Sequence, residues 1–229
     1  GMLVSKSHGF YFLKPKKSAG TTVECVLGQL CQGENDVYTK FRVSEEVDKN
    51  YRQGSTPNEF STEFIEHTNY DDLSSRVDLS GLTPIIAIRH PYAICTSGCA
   101  WHERGYKQYN AQGFVSQKSD DYIRWWYNKR FGPNCDAVYS EERKYEMYRQ
   151  YEFYGDALKH PDLITLRFSH IEEDLNNLCD QYDIPAEIPH TKKTNQYTPE
   201  MCKEILYDYQ LEHIQEYFKK SFDYWGWEK

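Results

Sequence analysis

The sequence lacks long apolar runs: no segment approaches the 18 or so residues that a membrane-spanning helix needs. The pattern of a secretory signal peptide, a basic stretch followed by an apolar one, is also missing from its start. Basic residues are outnumbered, because 27 Lys and Arg face 35 Asp and Glu, which gives a net charge of −8. Nonspecific binding to nucleic acid requires a broad basic field. We therefore expect neither a membrane nor a nucleic acid as a partner.

The seven cysteines include no CxxC pair. An odd number without such pairs fits a reduced compartment better than a disulfide framework, and it predicts a cytoplasmic protein. Cys95 and Cys99 are spaced four residues apart on a predicted helix. A metal site there would need further ligands, and no second His or Cys pair lies nearby in the sequence. We therefore expect helix packing for these two cysteines and no bound metal.

Internal repeats and low-complexity segments are also missing. The 229 residues suffice for one large α/β domain, so we predict a single domain, 1–229, with two smaller domains as the alternative. Short apolar runs at Phe10–Leu13, Pro84–Ile88 and Leu163–Phe168 have the length of strands. The continuous run at Pro84–Ile88 is typical of a strand buried on both faces of a parallel sheet. We expect Leu163–Phe168 to be another buried strand.

The first segment with a chemical signature is 9–30, GFYFLKPKKSAGTTVECVLGQL. A strand leads into a polar turn with Lys14, Lys16 and Lys17. A helical pattern follows, and the apolar residues predicted to lie on one face of the helix are Val23, Val26, Leu27, Leu30 and Cys31. This order directs backbone N–H groups and the positive end of a helix at an anion, which predicts a phosphate or sulfate site. The P-loop spacing GxxxxGK[ST] is missing, because the lysines precede Gly20. A βα turn with surface lysines is the alternative interpretation.

The second segment is TPIIAIRHPYAICTS, in which Arg89 stands at the carboxyl end of the predicted strand. Pro91 suits the first turn of the following helix, where a backbone N–H is not needed. Ligands of α/β proteins bind at this end of the strands, so we predict that Arg89 contacts a ligand. A salt bridge at the rim of the sheet is the alternative.

Together the two segments resemble motifs of the sulfotransferases that use 3′-phosphoadenosine 5′-phosphosulfate (PAPS). KPKKSAGTT resembles the loop that binds the 5′-phosphosulfate, most closely that of the carbohydrate branch. RHPYAICTS resembles the 3′-phosphate motif, in which Arg and Ser are eight residues apart, as Arg89 and Ser97 are. Lys16 and Ile94 depart from the pattern, since the family often has Pro or His at the first position and Arg at the second. The resemblance implies an α/β, P-loop-NTPase-like three-layer fold with a central, mostly parallel sheet flanked by helices.

The resemblance also implies an activity, transfer of a sulfuryl group from PAPS to a hydroxyl, or alternatively an amine, of a small-molecule or glycan acceptor. The product would be adenosine 3′,5′-bisphosphate, formed by in-line displacement without a metal. Lys17 is expected to stabilise the leaving phosphate. The residues expected to bind PAPS are Lys17, Ser18, Ala19, Gly20, Thr21, Thr22, Arg89 and Ser97, with Lys192 and Lys193 closing over it.

A hydroxyl acceptor needs a base, and histidine titrates in the useful range. His67 ends a predicted short strand, 60–67 (FSTEFIEH), between the two motifs. A functional histidine lies at the comparable point in the carbohydrate sulfotransferases, so we predict His67 as the base. Glu66 is the alternative base, His102 and His190 are weaker candidates, and a polar loop position without a catalytic role is the other interpretation of His67.

Segment 105–161 is rich in aromatic residues, and we predict that it is a helical insertion that shapes the acceptor site. Ser119 is predicted to cap a helix that runs through Arg130, and Ser140 another that runs toward Lys159. Aromatic side chains at helical spacing either stack on an acceptor or pack in the core, and we favour the core.

The last third of the chain predicts two more helices. Ser169 and Glu172 form the spacing of a capping box, and Thr198 with Pro199 predicts the start of one long final helix. The side chains expected to face inward on that final helix are Ile205, Leu206, Tyr209 and Tyr217.

Two other functions stay open. A P-loop nucleotide or small-molecule kinase would have GxxxxGK[ST] and an Asp at the end of a later strand, where Arg89 stands here. A sulfotransferase-like domain that binds without turnover is the non-enzymatic alternative.

Overall fold

The computed structural model describes residues 2–18, 20–31, 33–39, 67–100, 119–135, 147–184 and 197–229. The chain divides into two compact units, Gly1–Arg89 with Phe153–Lys193 and His90–Glu152 with Thr194–Lys229. The prediction of one domain over the whole chain stays a prediction.

In the described residues, five strands form the sheet of the first unit. They are β1 (Leu3–Ser5), β2 (Phe10–Leu13), β3 (Val37–Tyr38), β4 (Thr83–Ile88) and β5 (Ile164–Arg167), in the order β3-β1-β2-β4-β5. β1 pairs antiparallel with β2 and β3, whereas β2, β4 and β5 run parallel. The α/β class is confirmed, with helices beside a sheet that is mixed and not purely parallel. The reason is the connection between β1 and β2, because a turn of so few residues joins only antiparallel strands.

The described helices follow the chain in this order: α1 (Gly20–Leu27), α2 (Tyr70–Arg76), α3 (Pro91–Ala100), α4 (Asp120–Arg130), α5 (Gln150–Tyr154), α6 (Ile171–Gln181), α7 (Pro199–Ile205), α8 (Asp208–Tyr217) and α9 (Lys219–Trp225). Short 3₁₀ turns occupy Gly28–Leu30, Gly155–Lys159 and Phe168–His170. None of the helices in the described part of the chain is long and apolar enough to cross a membrane.

The core of the first unit joins the sheet to α1 and α6. The apolar face predicted for α1 is confirmed, since Val23, Val26 and Leu27 are fully or almost fully buried. On α6, Leu175 and Leu178 pack into the same cluster. These contacts fix the helix that follows the lysine-rich turn against the strand that precedes it.

Two expectations for the end of this unit are wrong. The run at Leu163–Phe168 forms β5, but only Leu166 is buried there, because β5 is the last strand in the described sheet and pairs with β4 alone. The capping box is also wrong, since α6 begins at Ile171 after a 3₁₀ turn and the side chain of its N-cap residue, His170, makes no capping bond to the helix. Asp174 instead accepts a bond of 2.7 Å from the backbone N of Arg167 and one of 2.9 Å from its guanidinium.

Buried aromatic side chains form the core of the second unit. The helix predicted after Ser119 is confirmed as α4, and the Ser119 hydroxyl accepts a bond from the backbone N of Tyr122 at 3.2 Å. Aromatic residues buried in this core include Tyr122, Trp126, Tyr127, Phe131 and Tyr148. The core interpretation of these aromatics is therefore confirmed. Cys95 and Cys99 are completely buried in the same cluster, which confirms that they pack.

The final segment differs from the single helix expected. Thr198 caps α7 as predicted, with its hydroxyl accepting a bond from the backbone N of Met201, but α7 ends at Ile205 and two further helices follow. Leu206 is buried as expected, whereas Tyr209 is 51% exposed, contrary to the prediction. The break between α7 and α8 changes the phase of the helix, so a continuous periodicity does not apply.

Candidate functional site

The two sequence motifs reach the same edge of the sheet. β2 and β4 are parallel neighbours, with Leu13 opposite Ile86, and β5 lies parallel on the other side of β4. The segment 14–18, which we call the lysine turn, follows β2, and Arg89 follows β4. The turn leads into α1, which begins at Gly20. The residues after parallel strands of an α/β sheet form its usual ligand-binding edge.

Lys14 is the most buried lysine of the turn and is engaged inside the protein. Its Nζ lies 2.7 Å from the Oε1 of Glu24, and the Glu24 side chain is completely buried on α1. Lys14 itself is 8% exposed. A buried ammonium needs such a partner, because an isolated charge in the interior is strongly disfavoured. This ion pair joins the start of the turn to the helix and cancels the charge of Lys14.

Lys17 has a left-handed backbone, with φ of +65°. This region costs a residue other than glycine roughly 1–2 kcal/mol, so the surrounding contacts must compensate for it. The Lys17 carbonyl accepts a hydrogen bond of 3.0 Å from Nη1 of Arg89. Lys17, predicted to stabilise the leaving phosphate, is therefore held at its backbone by Arg89, the residue predicted from the second motif to contact a ligand.

Arg89 is buried, with only 6% of the residue exposed. Its guanidinium carbon lies 3.7 Å from the centroid of the Phe168 ring, which follows β5. A guanidinium at this distance from an aromatic face gains cation–π attraction, which increases where water is excluded. Arg89 thus holds a positive charge beside the lysine turn in a fixed orientation.

The Ser18 hydroxyl is used within the turn. Ser18 is completely buried, and its Oγ donates a bond of 3.0 Å to the carbonyl of Pro15. The side chain of Tyr154 contacts Ser18, and its hydroxyl donates to the carbonyl of Ala87 in β4. Burial raises the pKa of Tyr154 well above its ordinary value, so this phenol stays protonated as a donor. These bonds join the turn to the neighbouring strand.

His67 lies beside the first residue of the lysine turn. Its Nδ1 lies 2.9 Å from the carbonyl oxygen of Lys14. A carbonyl only accepts, so Nδ1 carries the proton, and in the neutral ring the lone pair is on Nε2. This is the tautomer in which Nε2 can accept a proton. Sequence analysis expects a strand before His67, and of that segment, 60–67, only His67 is described, in a turn.

The other predicted site residues are placed as follows. Gly20, Thr21 and Thr22 form the first turn of α1, and their side chains lie outside the description. Ser97 is 6% exposed on α3 in the second unit, so its predicted partnership with Arg89 stays a prediction. The candidates outside the described residues are Ala19, Glu66, His102, Lys192, Lys193 and His190, and so is Ser140, the predicted helix cap.

Three residues of the site are missed by the sequence motifs. Glu24 and Tyr154 contact Lys14 and Ser18 of the lysine turn. Phe168 contacts Arg89. For Phe168 a signal exists, because it directly follows a predicted parallel strand, where ligand edges form. For Glu24 and Tyr154 no local pattern distinguishes them from other helical residues.

The charge of the lysine turn is positive although the chain is acidic. Glu24 pairs with Lys14, and the turn and its surroundings also contain the cationic side chains of Lys16, Lys17 and Arg89. Both Lys16 and Lys17 are half-buried. Adjacent cations with the N-terminus of a helix suit an anion. Within the described residues, no group of three or more His, Cys, Asp or Glu side chains is arranged to hold a metal ion.

Comparisons of the chain with family models, with curated proteins and with solved structures find no match.

Proposed function

We propose that this protein is a sulfotransferase that moves a sulfuryl group from PAPS to a hydroxyl of an acceptor. One observation carries the proposal: His67 and Arg89 both bond to carbonyls of the lysine turn, at Lys14 and Lys17. These residues come from different parts of the sequence, and each was predicted for the site independently of the fold. This convergence supports the proposal, because the imidazole of His67 and the guanidinium of Arg89 both reach the lysine turn.

The lysine turn suits the 5′-phosphosulfate of the donor. PAPS supplies an activated sulfuryl group whose transfer leaves negative charge on the 5′-phosphate. Lys17 stabilises that charge, and the backbone N–H groups of Gly20, Thr21 and Thr22 at the start of α1 bind the phosphate oxygens. Lys14 is excluded from this role because Glu24 already pairs with it. Positioning and charge stabilisation of this kind supply most of the catalysis in such in-line displacements.

His67 takes the proton of the acceptor hydroxyl. The carbonyl of Lys14 holds the proton of the ring on Nδ1, which leaves Nε2 as the basic nitrogen. The same bond orients the ring relative to the turn that binds the donor. A hydroxyl deprotonated in this way is a better nucleophile at neutral pH, and such bases typically contribute a factor of about 10² to 10⁴.

Further parts of the proposal rest on the resemblance alone. They are a P-loop-like three-layer arrangement, 3′-phosphate binding by Arg89 and Ser97, closure by Lys192 and Lys193, a carbohydrate acceptor, an acceptor site shaped by 105–161 and a cytoplasmic location. No metal takes part in the proposed reaction.

Titration calorimetry with adenosine 3′,5′-bisphosphate and with ATP–Mg²⁺ tests the proposal. We expect the bisphosphate to bind and ATP–Mg²⁺ to bind at least tenfold more weakly. A preference for ATP–Mg²⁺ would contradict the proposal and favour the kinase.

Transfer from radiolabelled PAPS to a panel of sugars, phenols and amines then tests turnover. We expect a labelled product with at least one acceptor class. Binding of the bisphosphate without transfer to any member of the panel would favour the domain that binds without turnover.

A further inference from the structure

Arg89 makes two contacts that the phosphate-binding prediction does not use. Its Nη1 donates to the carbonyl of Lys17 at 3.0 Å, and its planar group covers the ring of Phe168 at 3.7 Å. The first contact fixes the backbone of the lysine turn, and the second fixes the guanidinium. The three residues lie after β2, β4 and β5, so the contacts connect the ends of three parallel strands.

The bond from Arg89 falls on the residue with the strained backbone. Lys17 has φ of +65°, and the orientation of its carbonyl depends on that angle. A charged donor on a carbonyl is among the stronger hydrogen bonds, and burial increases its strength. Loss of the bond would therefore release the turn toward the right-handed region that lysine prefers.

We infer that Arg89 is a positioning residue for Lys17, with Phe168 as its support. This inference rests on the proposed function and deepens it, because it makes the 5′-phosphate half of the site depend on a residue predicted for the 3′-phosphate. The binding of a nucleotide that lacks a 3′-phosphate would then also depend on Arg89. Phe168 acts only through Arg89.

Limited trypsin digestion of the full chain without any nucleotide tests the inference directly. Trypsin cuts after Lys16 and Lys17, while the Lys14–Pro15 bond resists it. We expect Arg89→Lys and Phe168→Leu to raise the initial rate of cleavage in the turn about tenfold. Lysine keeps the charge but neither stacks nor donates like a guanidinium, and leucine removes the ring. Phe168→Tyr keeps the aromatic face and should cleave at the wild-type rate.

Cleavage after Lys159, an exposed lysine of the same unit, serves as the internal control. Its rate should not change in any variant. An equal rise at Lys159 would mean that the variants destabilise the whole unit, and wild-type cleavage of the turn in Arg89→Lys and Phe168→Leu would mean that no positioning exists. Either result overturns the inference.

Calorimetry adds a readout that a merely structural role would not move. Adenosine 5′-monophosphate and adenosine 3′,5′-bisphosphate differ only in the 3′-phosphate. Phe168→Leu should weaken both by a similar factor, about tenfold, and Phe168→Tyr neither. A loss confined to the bisphosphate would overturn the inference, because Arg89 would then act on the 3′-phosphate alone. If the wild type binds neither nucleotide, the proposed function fails, and the digestion still decides on the positioning role.

Discussion

The Nζ of Lys14, the first residue of the lysine turn, lies 2.7 Å from the Oε1 of Glu24 on α1, in the interior of the first unit. Their side chains are 10% and 0% exposed. Nine residues lie between them in the sequence, so the ion pair joins the start of the turn to the helix that follows it. It gives Lys14 a structural role at the start of the turn.

Glu24→Gln should therefore destabilise the protein strongly. Removing one partner of a buried pair leaves the other charge uncompensated, at a cost of about 3–5 kcal/mol. Urea denaturation of Glu24→Gln should show this loss, and the double variant Lys14→Met, Glu24→Leu should recover most of it. The matched control is Asp156→Asn, which removes the partner of Lys159 from an exposed pair at 3.0 Å and should cost less than about 1 kcal/mol. Equal losses in Glu24→Gln and the control would contradict the structural role of Lys14.

Lys17→Ala and Lys16→Ala distinguish the roles of the two other lysines of the turn. If Lys17 stabilises the leaving phosphate, Lys17→Ala should lower the kcat of sulfuryl transfer by about 10² to 10³ and change bisphosphate binding much less. Lys16→Ala, its matched neighbour, should change kcat by less than about tenfold. The opposite result would shift the assignment by one residue and place Lys16 on the reacting side of the turn.

His67→Ala tests the base. Transfer should fall by about 10² to 10⁴, while bisphosphate affinity should stay within about threefold, because the histidine acts on the acceptor. His67→Gln is the matched variant, since its amide can still donate to the Lys14 carbonyl but is not a base; it should be as inactive as His67→Ala. Activity in the glutamine variant would show that His67 only supports the turn.

Local patterns predicted the elements on which the site is built. The apolar runs of β2 and β4, the apolar face of α1 and the Ser119 cap of α4 involve neighbours in the sequence, whose spacing is visible without the fold. The antiparallel part of the sheet was not predicted, because strand order depends on which strands pair in the folded protein. The contact between Arg89 and Lys17 spans 72 residues, and no periodicity encodes it.

The division of the final helix shows the same limit in physical terms. No Gly or Pro marks the break after α7, yet the chain is extended at Leu206 and Tyr207. The amide oxygen of Gln210 accepts a bond from the backbone N of Tyr207 at 3.0 Å, and its nitrogen donates to the carbonyl of Arg124 at 2.9 Å. The buried side chain of Gln210, bonded to α4, thus stabilises the break in the absence of a local stop signal. The position of the break therefore depends on the tertiary structure.

His90 makes the stability of the second unit depend on pH. Its Nδ1 accepts a bond of 3.1 Å from the backbone N of Tyr92, and its Nε2 donates to the carbonyl of Glu228 at 2.7 Å, so the ring is neutral. Burial lowers the pKa of His90 below its ordinary 6.5, and nearby Lys203 acts in the same direction. The unfolded chain therefore binds the proton at a higher pH than the folded chain does. The contribution of the neutral His90 to the free energy of unfolding is fully present above about pH 6.5 and is lost as the pH falls below it.

Thermal melting from pH 8 down to pH 5.5 measures this loss in the wild type and in His90→Gln. Glutamine can donate and accept hydrogen bonds but does not titrate, so the variant should lose less free energy of unfolding over the same interval. The slopes of the two curves should differ by at most about 1.4 kcal/mol per pH unit. Burial also lowers the pKa of His213, and that histidine is present in both proteins. The difference between the two curves therefore reports His90 alone, and parallel curves would contradict the prediction, because they would mean that folding does not lower the pKa of His90.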